Sequence, residues 1–409
     1  MQKQNLNFSK HNLKTVVFVS TLSFNDKNTA GYNRILNYAK ALACNKINVI
    51  LFSLSDKFQN ASDLEQIVEN IYIIKRKNTS YSAWNSLISL NRLRESIYGK
   101  VSYVFYPSSR FTADLIFIAS LKILSSKKIF CEINELRYTY VENRFKPENP
   151  FTSLFVSLKN ALDLFFYKVL EYSYLKYDGL ISISSSLNNY LLKYNSNIIR
   201  IPILVEVPQE RFYCSLPIVE YFKIGFFGTI SFKKEGLINI IQAIKKLCSK
   251  NCKVKFYLYG SISEIERKAL QHYIQKEEVQ DLITYLGIIP HERILIEMRK
   301  MNLLILPRPL NCQTNFGFST KLAEYLISGV PVLVTNVSDN SHYIKDGFNG
   351  FMVDDISSDG FESKIAQIMK NYDQVKFQIS IAGYETAVKH FDYQLYKDKL
   401  TEFLFLYDK

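Results

Sequence analysis

Apolar runs of strand length alternate with segments of helical spacing along this whole chain, and this alternation restricts the fold more than any other feature. The first series opens with the apolar run 15–20, passes through a helix with one apolar face, and returns to the apolar run 47–54. Further runs of strand length lie at 102–106, 128–133 and 179–184. Strands that alternate with helices predict βαβ units and a parallel sheet covered on both faces. The predicted class is therefore α/β.

A second series of the same kind follows a proline-containing stretch near the middle of the chain. Residues 201–222 contain Pro202, Pro208 and Pro217 without a sustained period, which is typical of a linker. Strands are predicted beyond it at 223–227, 254–259, 282–286, 303–306, 332–335 and 350–353. We therefore expect two Rossmann-like domains facing each other across a cleft, at 1–205 and 206–387. Ligands of such sheets bind beyond the carboxyl ends of the strands.

Length and composition favour an intracellular globular protein. A chain of 409 residues with 47% hydrophobic residues can bury two cores. No segment offers about 20 uninterrupted apolar residues, and the N-terminal residues 1–14 are polar, unlike a signal peptide. The six cysteines are scattered without metal-ligand spacing, so we expect reduced thiols and a cytoplasmic location.

The positive charge is confined to one half of the chain. Residues 1–200 hold 26 Lys and Arg against 14 Asp and Glu, whereas residues 201–409 hold 25 against 24. Such an excess predicts an anionic partner for the first half, either a membrane surface or nucleic acid. Residues 151–177 are dense in Phe, Tyr and Leu yet interrupted by charges. They could lie on a membrane as an amphipathic helix or form a buried helix pair, and both interpretations stay open.

A cation and a carboxylate share one face of a predicted helix within residues 317–335. Gly317, Phe318, Ser319 and Thr320 lead into this helix, where free backbone N–H groups and the positive end of the helix dipole attract phosphate. Lys321 and Glu324 follow at a spacing that lets both side chains reach one ligand. The alternative is a solvated salt bridge between the two.

This helix, with the turn and strand after it, resembles the donor motif of the family 4 retaining glycosyltransferases of GT-B fold. The resemblance implies that Glu324 binds the ribose hydroxyls and that basic residues bind the diphosphate. Residues 228–236 are similar to the glycine-rich phosphate loop of that family, which implies donor contacts for Gly228 and Thr229 and a phosphate role for Lys234. The loop departs from the family pattern at Thr229, where arginine is usual, and at Glu235. In GT-B enzymes a C-terminal helix, here 388–409, crosses back to the first domain.

Three further candidates lie at predicted strand ends. Arg308 stands between two prolines that restrict its backbone, and its guanidinium could fork onto phosphate oxygens or form a structural ion pair. Gly31 opens the first helix where the family loop approaches the donor. Glu132, like Glu135, could contact the acceptor or the sugar or act as a base, or it could be a structural carboxylate paired with Arg137.

These features, together with the resemblance, predict the transfer of a hexosyl group from a nucleotide-diphosphate sugar to a saccharide or lipid-linked acceptor. The resemblance implies retention of configuration, and surface polysaccharide assembly is the expected setting. No Asp-x-Asp occurs, so we expect neither a divalent metal nor another cofactor. We expect peripheral association with an anionic membrane at the inner face of the plasma membrane, and no nucleic acid. The alternatives are a GT-B sugar-nucleotide epimerase, which should carry several acid–base groups, and a nucleic-acid-binding protein, which would leave Lys321 and Glu324 unexplained.

Overall fold

The computed structural model describes residues 14–22, 24, 30–75, 83–107, 111–142, 150–212 and 220–405. The polar residues 1–13 and Pro217 of the predicted linker lie outside the described residues. The chain divides into two compact units. The first comprises Met1–Leu204 with Tyr393–Lys409, and the second comprises Val205–Asp392.

The first unit is built on an eight-stranded sheet with the order β3-β4-β2-β1-β5-β6-β7-β8. Its strands are β1 Lys14–Ser20, β2 Asn48–Ser53, β3 Leu64–Val68, β4 Ile71–Ile74, β5 Lys100–Tyr106, β6 Lys128–Ile133, β7 Gly179–Ser182 and β8 Ile198–Arg200. Its helices are α1 Ala30–Cys44, α2 Ala83–Ser96, α3 Phe111–Ile123, α4 Tyr138–Glu142, α5 Pro150–Glu171 and α6 Ser185–Leu191. All neighbouring strands run parallel except β3, which pairs antiparallel with β4.

Burial explains which strands of this sheet the sequence predicted. All six residues of β2 are buried, and only Lys14 of β1 is not, so both strands are continuous apolar runs. In contrast, β3, β4 and β8 are short and partly exposed, and the sequence analysis missed them. Helix α1 covers the sheet with Ile35, Ala39 and Leu42, all fully buried.

The second unit carries a six-stranded, all-parallel sheet with the order β11-β10-β9-β12-β13-β14. Its strands are β9 Phe222–Phe227, β10 Val254–Tyr259, β11 Ile283–Gly287, β12 Leu303–Leu306, β13 Val332–Thr335 and β14 Phe351–Val353. Its helices are α7 Phe232–Glu235, α8 Leu237–Ser249, α9 Glu264–Lys276, α10 His291–Met298, α11 Cys312–Phe316, α12 Thr320–Ile327, α13 Asn340–Tyr343 and α14 Ser358–His390. Apolar residues of β9, β10 and α8 form the centre of its core.

Each sheet has a point where the direction of strand addition reverses. In the first sheet β1 lies between β2 and β5, and in the second β9 lies between β10 and β12. The loops that follow the two strands at such a point diverge and leave a crevice at the carboxyl ends, where ligands of open α/β sheets bind. The candidate residues lie at the carboxyl ends of β1, β5 and β6, or just after them, in the first unit, and after β9 and β12 in the second.

The C-terminal region differs from the single helix predicted at 388–409. Helix α14 runs on to His390 within the second unit, and after a short 3₁₀ turn the chain forms α15, Lys397–Phe405, in the first unit. The Phe403 ring lies 5.1 Å from the Phe130 ring, and the Ser102 hydroxyl donates to the Leu404 carbonyl at 2.7 Å. The helical spacing predicted from the sequence could not locate this break because apolar residues continue through it.

Candidate functional site

The loop after β9, the short helix α7 and the start of helix α12 meet at the carboxyl ends of β9 and β12 in the second unit. The loop after β9 begins with Gly228, whose φ of +146° is a conformation that side-chain-bearing residues rarely adopt. A Cβ atom built on Gly228 would lie 1.9 Å from Cε of Lys321, so the Lys321 side chain crosses directly over this glycine. The loop therefore needs glycine because α12 delivers a lysine to its surface.

Glu235 joins the two cations that the sequence assigned to phosphate. Its Oε1 lies 2.8 Å from Lys321 Nζ and 3.0 Å from Arg308 Nη2, and its Oε2 accepts from Arg308 Nε at 3.2 Å. All three side chains are largely buried, with exposed fractions of 3% for Glu235, 10% for Arg308 and 12% for Lys321. The ion pair foreseen as the alternative for Arg308 is thus present, with Glu235 as the partner.

The pKa values of this cluster follow from burial and charge. Burial alone would raise the pKa of Glu235, but the attraction of Arg308 and Lys321 outweighs it and lowers that pKa to about 2. Burial lowers the pKa of Lys321, with further lowering from Arg308 and Lys234, while Glu235 opposes the shift. Glu235 remains an anion, and the cluster it forms with two cations keeps one net positive charge.

The sequence analysis recorded Glu235 only as a departure from the family loop. The sequence did contain a signal for Glu235, because this carboxylate follows two lysines and comes immediately before Gly236, which ends the short helix α7. Gly236 has a φ of +65°, and a Cβ there would lie 2.2 Å from the Pro307 carbonyl oxygen. This close approach of α7 to the end of β12 brings Glu235 within reach of Arg308.

The N-terminus of α12 is open to an anion. Its N-cap residue Ser319 makes no capping hydrogen bond, and the buried Ser319 hydroxyl has no partner among the described residues. The backbone N–H groups of Thr320 and Lys321 likewise donate to no described acceptor. Unsatisfied N–H groups at a helix N-terminus attract phosphate oxygens. Tyr325 holds the helix in place, because its hydroxyl accepts from the Phe227 N–H at 2.8 Å and donates to the Phe227 carbonyl.

Two residues of the predicted lead-in have other roles. The Gly317 N–H donates to the Gln313 carbonyl at 3.0 Å, so it is not a free donor as the sequence analysis expected. The Phe318 side chain is buried, with its ring stacked 5.5 Å from the Tyr343 ring. These contacts shape the turn before α12, which is a structural contribution.

Glu324 lies on α12 one turn beyond Lys321. Its side chain is partly buried, and it accepts no hydrogen bond from the described residues. Burial raises the pKa of this carboxyl to about 7, although Lys321 partly opposes the shift. The salt bridge considered as the alternative for Lys321 and Glu324 is absent, since Lys321 pairs with Glu235 instead.

The other two loop candidates lie beside this cluster. Lys234 is half-buried on α7, and its charge contributes to the lowered pKa of Lys321. Thr229 is exposed, and its hydroxyl shares a hydrogen bond of 3.0 Å with Ser261. The structure therefore brings the second-unit candidates together at one edge of the sheet.

Glu132 occupies the corresponding edge of the first unit. It is 1% exposed, and its Oε1 accepts from Arg34 Nε at 2.7 Å. The structural alternative, pairing with Arg137, was left open for Glu132 and Glu135, and it does not hold for Glu132, whose partner is Arg34 of α1. Arg34 also donates to the Tyr38 hydroxyl and to the Pro202 carbonyl. Glu132 Oε2 has no hydrogen-bond partner among the described residues. Burial raises the pKa of Glu132, and Arg34 partly opposes this.

A cavity of about 250 Å³ lies at this edge, between the ends of β1, β5 and β6. Gly31 lines it, and a Cβ there would lie 2.6 Å from the Leu22 side chain. Most of the other lining groups are polar: Tyr106, Glu132, Asn134, Glu135 and Arg137. Glu132 and Glu135 are thus both placed at the switch point of the first sheet.

In the part of the chain that the structure describes, no group of three or more His, Cys, Asp or Glu side chains could hold a metal ion. At the edge of the second sheet, the groups available to a polyanion are the cations Lys321, Arg308 and Lys234 and the N–H donors at the start of α12.

Part of this chain is similar to a family of known proteins. Residues 215–385 match the family described as Glycosyl transferases group 1. An uncharacterised glycosyltransferase of Methanocaldococcus jannaschii is 23% identical over 270 residues, which covers 61% of this chain and 66%, just under two thirds, of that protein.

Two solved structures share the fold over nearly the whole chain. Sucrose-phosphate synthase of Thermosynechococcus elongatus has a TM-score of 0.69 at 14% identity, covering 95% of this chain and 98% of that one. HepE of Anabaena, solved with UDP and glucose, has a TM-score of 0.68 at 14% identity with the same coverage. Residues 215–385 are therefore similar to the group 1 glycosyl transferases, and the chain has the GT-B fold of these two solved structures.

Proposed function

We propose that the protein transfers a hexose from a nucleoside-diphosphate sugar to a saccharide or lipid-linked acceptor, with retention of configuration. The observation that carries this is the cluster at the ends of β9 and β12. Lys321 and Arg308, both paired with Glu235, lie near the uncapped N-terminus of α12 and near Glu324, a carboxylate that accepts no hydrogen bond from the described residues. The two cations and the helix N-terminus are groups that bind a diphosphate, and the Glu324 carboxylate is a group that binds ribose hydroxyls.

The donor groups have distinct roles in this proposal. The Lys321 ammonium and the Thr320 and Lys321 N–H groups contact the diphosphate, with Lys234 and Arg308 nearby. Glu324 accepts hydrogen bonds from the ribose hydroxyls. HepE, a structural neighbour, was solved with UDP and glucose, which supports a uridine diphosphate hexose as the first donor to test.

The reaction replaces one bond at the anomeric carbon. The acceptor hydroxyl oxygen bonds to that carbon, the carbon–oxygen bond to the β-phosphate breaks, and the diphosphate leaves with the electron pair. The acceptor proton passes to an oxygen of the departing diphosphate. This oxygen is close to the acceptor because, when configuration is retained, the acceptor approaches the sugar from the side that the diphosphate leaves. Because negative charge grows on the diphosphate, fixed cations and N–H donors stabilise the transition state more than the ground state. The proposal requires no divalent metal or other cofactor.

The first unit offers the acceptor side. Its cavity is lined by hydroxyl, amide, carboxyl and guanidinium groups, which match the hydrogen-bonding pattern of a sugar. We propose that Glu132 or Glu135 contacts a hydroxyl of the acceptor or of the transferred sugar. For the setting, we propose surface polysaccharide assembly at the cytoplasmic face of an anionic membrane, without nucleic acid as a partner.

The alternative enzyme is a sugar-nucleotide epimerase of the same fold. It would use the same diphosphate contacts but would need acid–base groups around the sugar. None of the four histidines in the described part of the chain lies at the cluster, and the two carboxylates there are committed to cations or ribose in the proposal. An epimerase would convert a nucleotide sugar without any acceptor and would release no new glycoside.

A panel of nucleotide sugars tests the proposal. Uridine, guanosine, adenosine and thymidine diphosphate hexoses are compared for thermal stabilisation of the protein and for slow hydrolysis. We expect one nucleotide to stabilise strongly and its sugar to be released with the anomeric configuration retained. Stabilisation by none of them would remove the donor assignment, and release of an epimerised nucleotide sugar would favour the alternative.

Glu324→Gln tests the ribose assignment through pH. The carboxyl has a pKa of about 7 in the free protein, and only the ionised form is a charged acceptor for the ribose hydroxyls. Affinity of the wild type for an intact nucleotide sugar, whose diphosphate does not titrate near neutrality, should therefore fall as pH falls through 7. The variant should bind about 10-fold more weakly at alkaline pH and without this dependence. Calorimetry one unit either side of neutrality measures both, and a flat wild-type profile would contradict the assignment.

A further inference from the structure

Helix α5 presents its apolar residues to solvent. Seven large apolar side chains of this helix, and two that follow it, have exposed fractions of 44–69%: Leu154, Phe155, Leu158, Leu162, Phe165, Phe166, Val169, Tyr172 and Leu175. Soluble monomers rarely expose a contiguous apolar surface of this extent unless it binds something. The buried helix pair considered from the sequence for residues 151–177 is therefore wrong for the apolar side chains between Leu154 and Leu175 that are exposed here.

The orientation of α5 is held from its inner side. Glu171 is buried, and its Oε2 accepts hydrogen bonds from the Tyr190 and Tyr194 hydroxyls, both at 2.7 Å. Tyr167 and Tyr174 are buried on the same side. Rolling the helix to bury its apolar side would break these bonds and leave a buried carboxylate without partners. The apolar face is thus a fixed feature of the first unit.

The apolar face, defined by Phe155, Leu158, Leu162, Phe165 and Val169, has two conceivable occupants. These residues recur at alternating spacings of three and four, which a helix of a second copy could match. Leu154 and Phe166 widen the face on both flanks beyond a single helical seam. The other occupant is a lipid bilayer. A face this wide matches the flat surface of a bilayer better than it matches the narrow contact seam of a second helix.

Charge distinguishes the two occupants. Between residues 154 and 176 the exposed charged side chains are all lysines, Lys159, Lys168 and Lys176, whereas Glu171 is buried and Asp163 is half-buried. Two copies of this face would bring lysines together with no exposed acid to pair them. Anionic lipid headgroups supply the negative charge that these lysines lack. Residues 1–200 as a whole are also basic, with 26 Lys and Arg against 14 Asp and Glu.

We propose that α5 is an interfacial docking helix that lies flat on an anionic lipid bilayer, with its apolar face at the boundary between headgroups and acyl chains. Its 22 residues span about 33 Å along the surface. Within the described ranges, none of the helices combines the length and the hydropathy of a membrane span. The inference deepens the proposed membrane setting, and because vesicle binding is measured without turnover, it can fail while the proposed transferase activity stands.

Co-sedimentation with vesicles of equal parts phosphatidylglycerol and phosphatidylcholine tests the proposal. The full chain should sediment at low salt and dissociate as salt rises, and it should bind pure phosphatidylcholine vesicles more weakly. The double variant Leu158→Ser with Phe165→Ser should lose binding by about 100-fold, since two exposed apolar side chains no longer enter the interface. The matched control Ile265→Ser with Ile288→Ser removes two exposed apolar residues of the second unit and should bind as the wild type does.

Further measurements keep the outcome unambiguous. Lys159→Glu should weaken binding to the anionic vesicles only, without altering thermal stability, because this side chain is exposed. Equal sedimentation of the Leu158→Ser, Phe165→Ser variant and the wild type would overturn the proposal. So would a wild type that ignores vesicles but is dimeric by light scattering and becomes monomeric in the double variant, since a second copy would then be the occupant.

Discussion

Lys321→Ala is expected to lower turnover by about 10²-fold or more, the usual effect of removing one stabiliser of charge that develops in the transition state. The Lys321 ammonium lies 2.8 Å from Glu235 and crosses Gly228, beside the uncapped N-terminus of α12. The fold should survive, because Glu235 keeps both hydrogen bonds to Arg308. Steady-state rates with the donor found in the nucleotide panel measure the effect.

The control for this variant is Lys245→Ala. Lys245 also forms an ion pair, with Glu277 at 3.1 Å, but it lies on the exposed surface of α8. Its removal should leave turnover unchanged. A Lys321→Ala enzyme that works at the wild-type rate would remove Lys321 from the mechanism and leave Lys234 as the remaining lysine candidate.

Glu235→Gln should destabilise the protein by about 3–5 kcal/mol near neutral pH, because Arg308 and Lys321 would stay buried without their counter-ion. The pH dependence follows from the pKa of about 2 in the folded state, below the ordinary value of 4.5. A lowered carboxyl pKa contributes stability that is full above 4.5 and is lost as pH falls towards 2. Urea unfolding across this acid range should show the loss in the wild type and a smaller loss in the variant.

Two comparisons make this prediction specific. Asp373→Asn removes an exposed partner of Lys376 and should change stability by no more than about 0.5 kcal/mol. A nucleoside diphosphate should stabilise Glu235→Gln more than the wild type, since its phosphates supply the negative charge that the variant lacks. If Glu235→Gln unfolds at the wild-type urea concentration throughout, the cluster contributes nothing to stability and the assigned pKa is wrong.

The sequence predicted the bounds of strands and helices correctly where a local pattern of residues marks them. The strands at 128–133, 254–259, 303–306 and 332–335 were placed at their observed bounds, because buried parallel strands are continuous apolar runs. The helix at 320–327 was also exact in extent, since a serine–threonine start and a glycine end mark it. The short, half-exposed strands β3 and β4 carry no such pattern and were missed.

The candidate site was foreseen as a set of residues, and its pairing was not. Lys321, Glu324, Arg308 and Lys234 were selected from motifs, yet Lys321 was expected to share a ligand with Glu324 rather than to pair with Glu235. Glu235 lies 73 residues from Arg308 and 86 from Lys321 in the chain. Sequence spacing contains no information on a contact that depends on how α7 packs against the end of β12.

Local chemistry in the chain determines which segments become strands and helices, where α12 begins, and which charged side chains stand near the strand ends. Tertiary packing decides which of those side chains meet: Glu235 with Arg308 and Lys321, and Arg34, rather than Arg137, with Glu132. It also decides that α5 turns Glu171 inward and Phe155, Leu158, Leu162 and Phe165 outward. The physical reason is that periodicity identifies the two faces of a helix, whereas only the partners supplied by distant residues determine which face is buried.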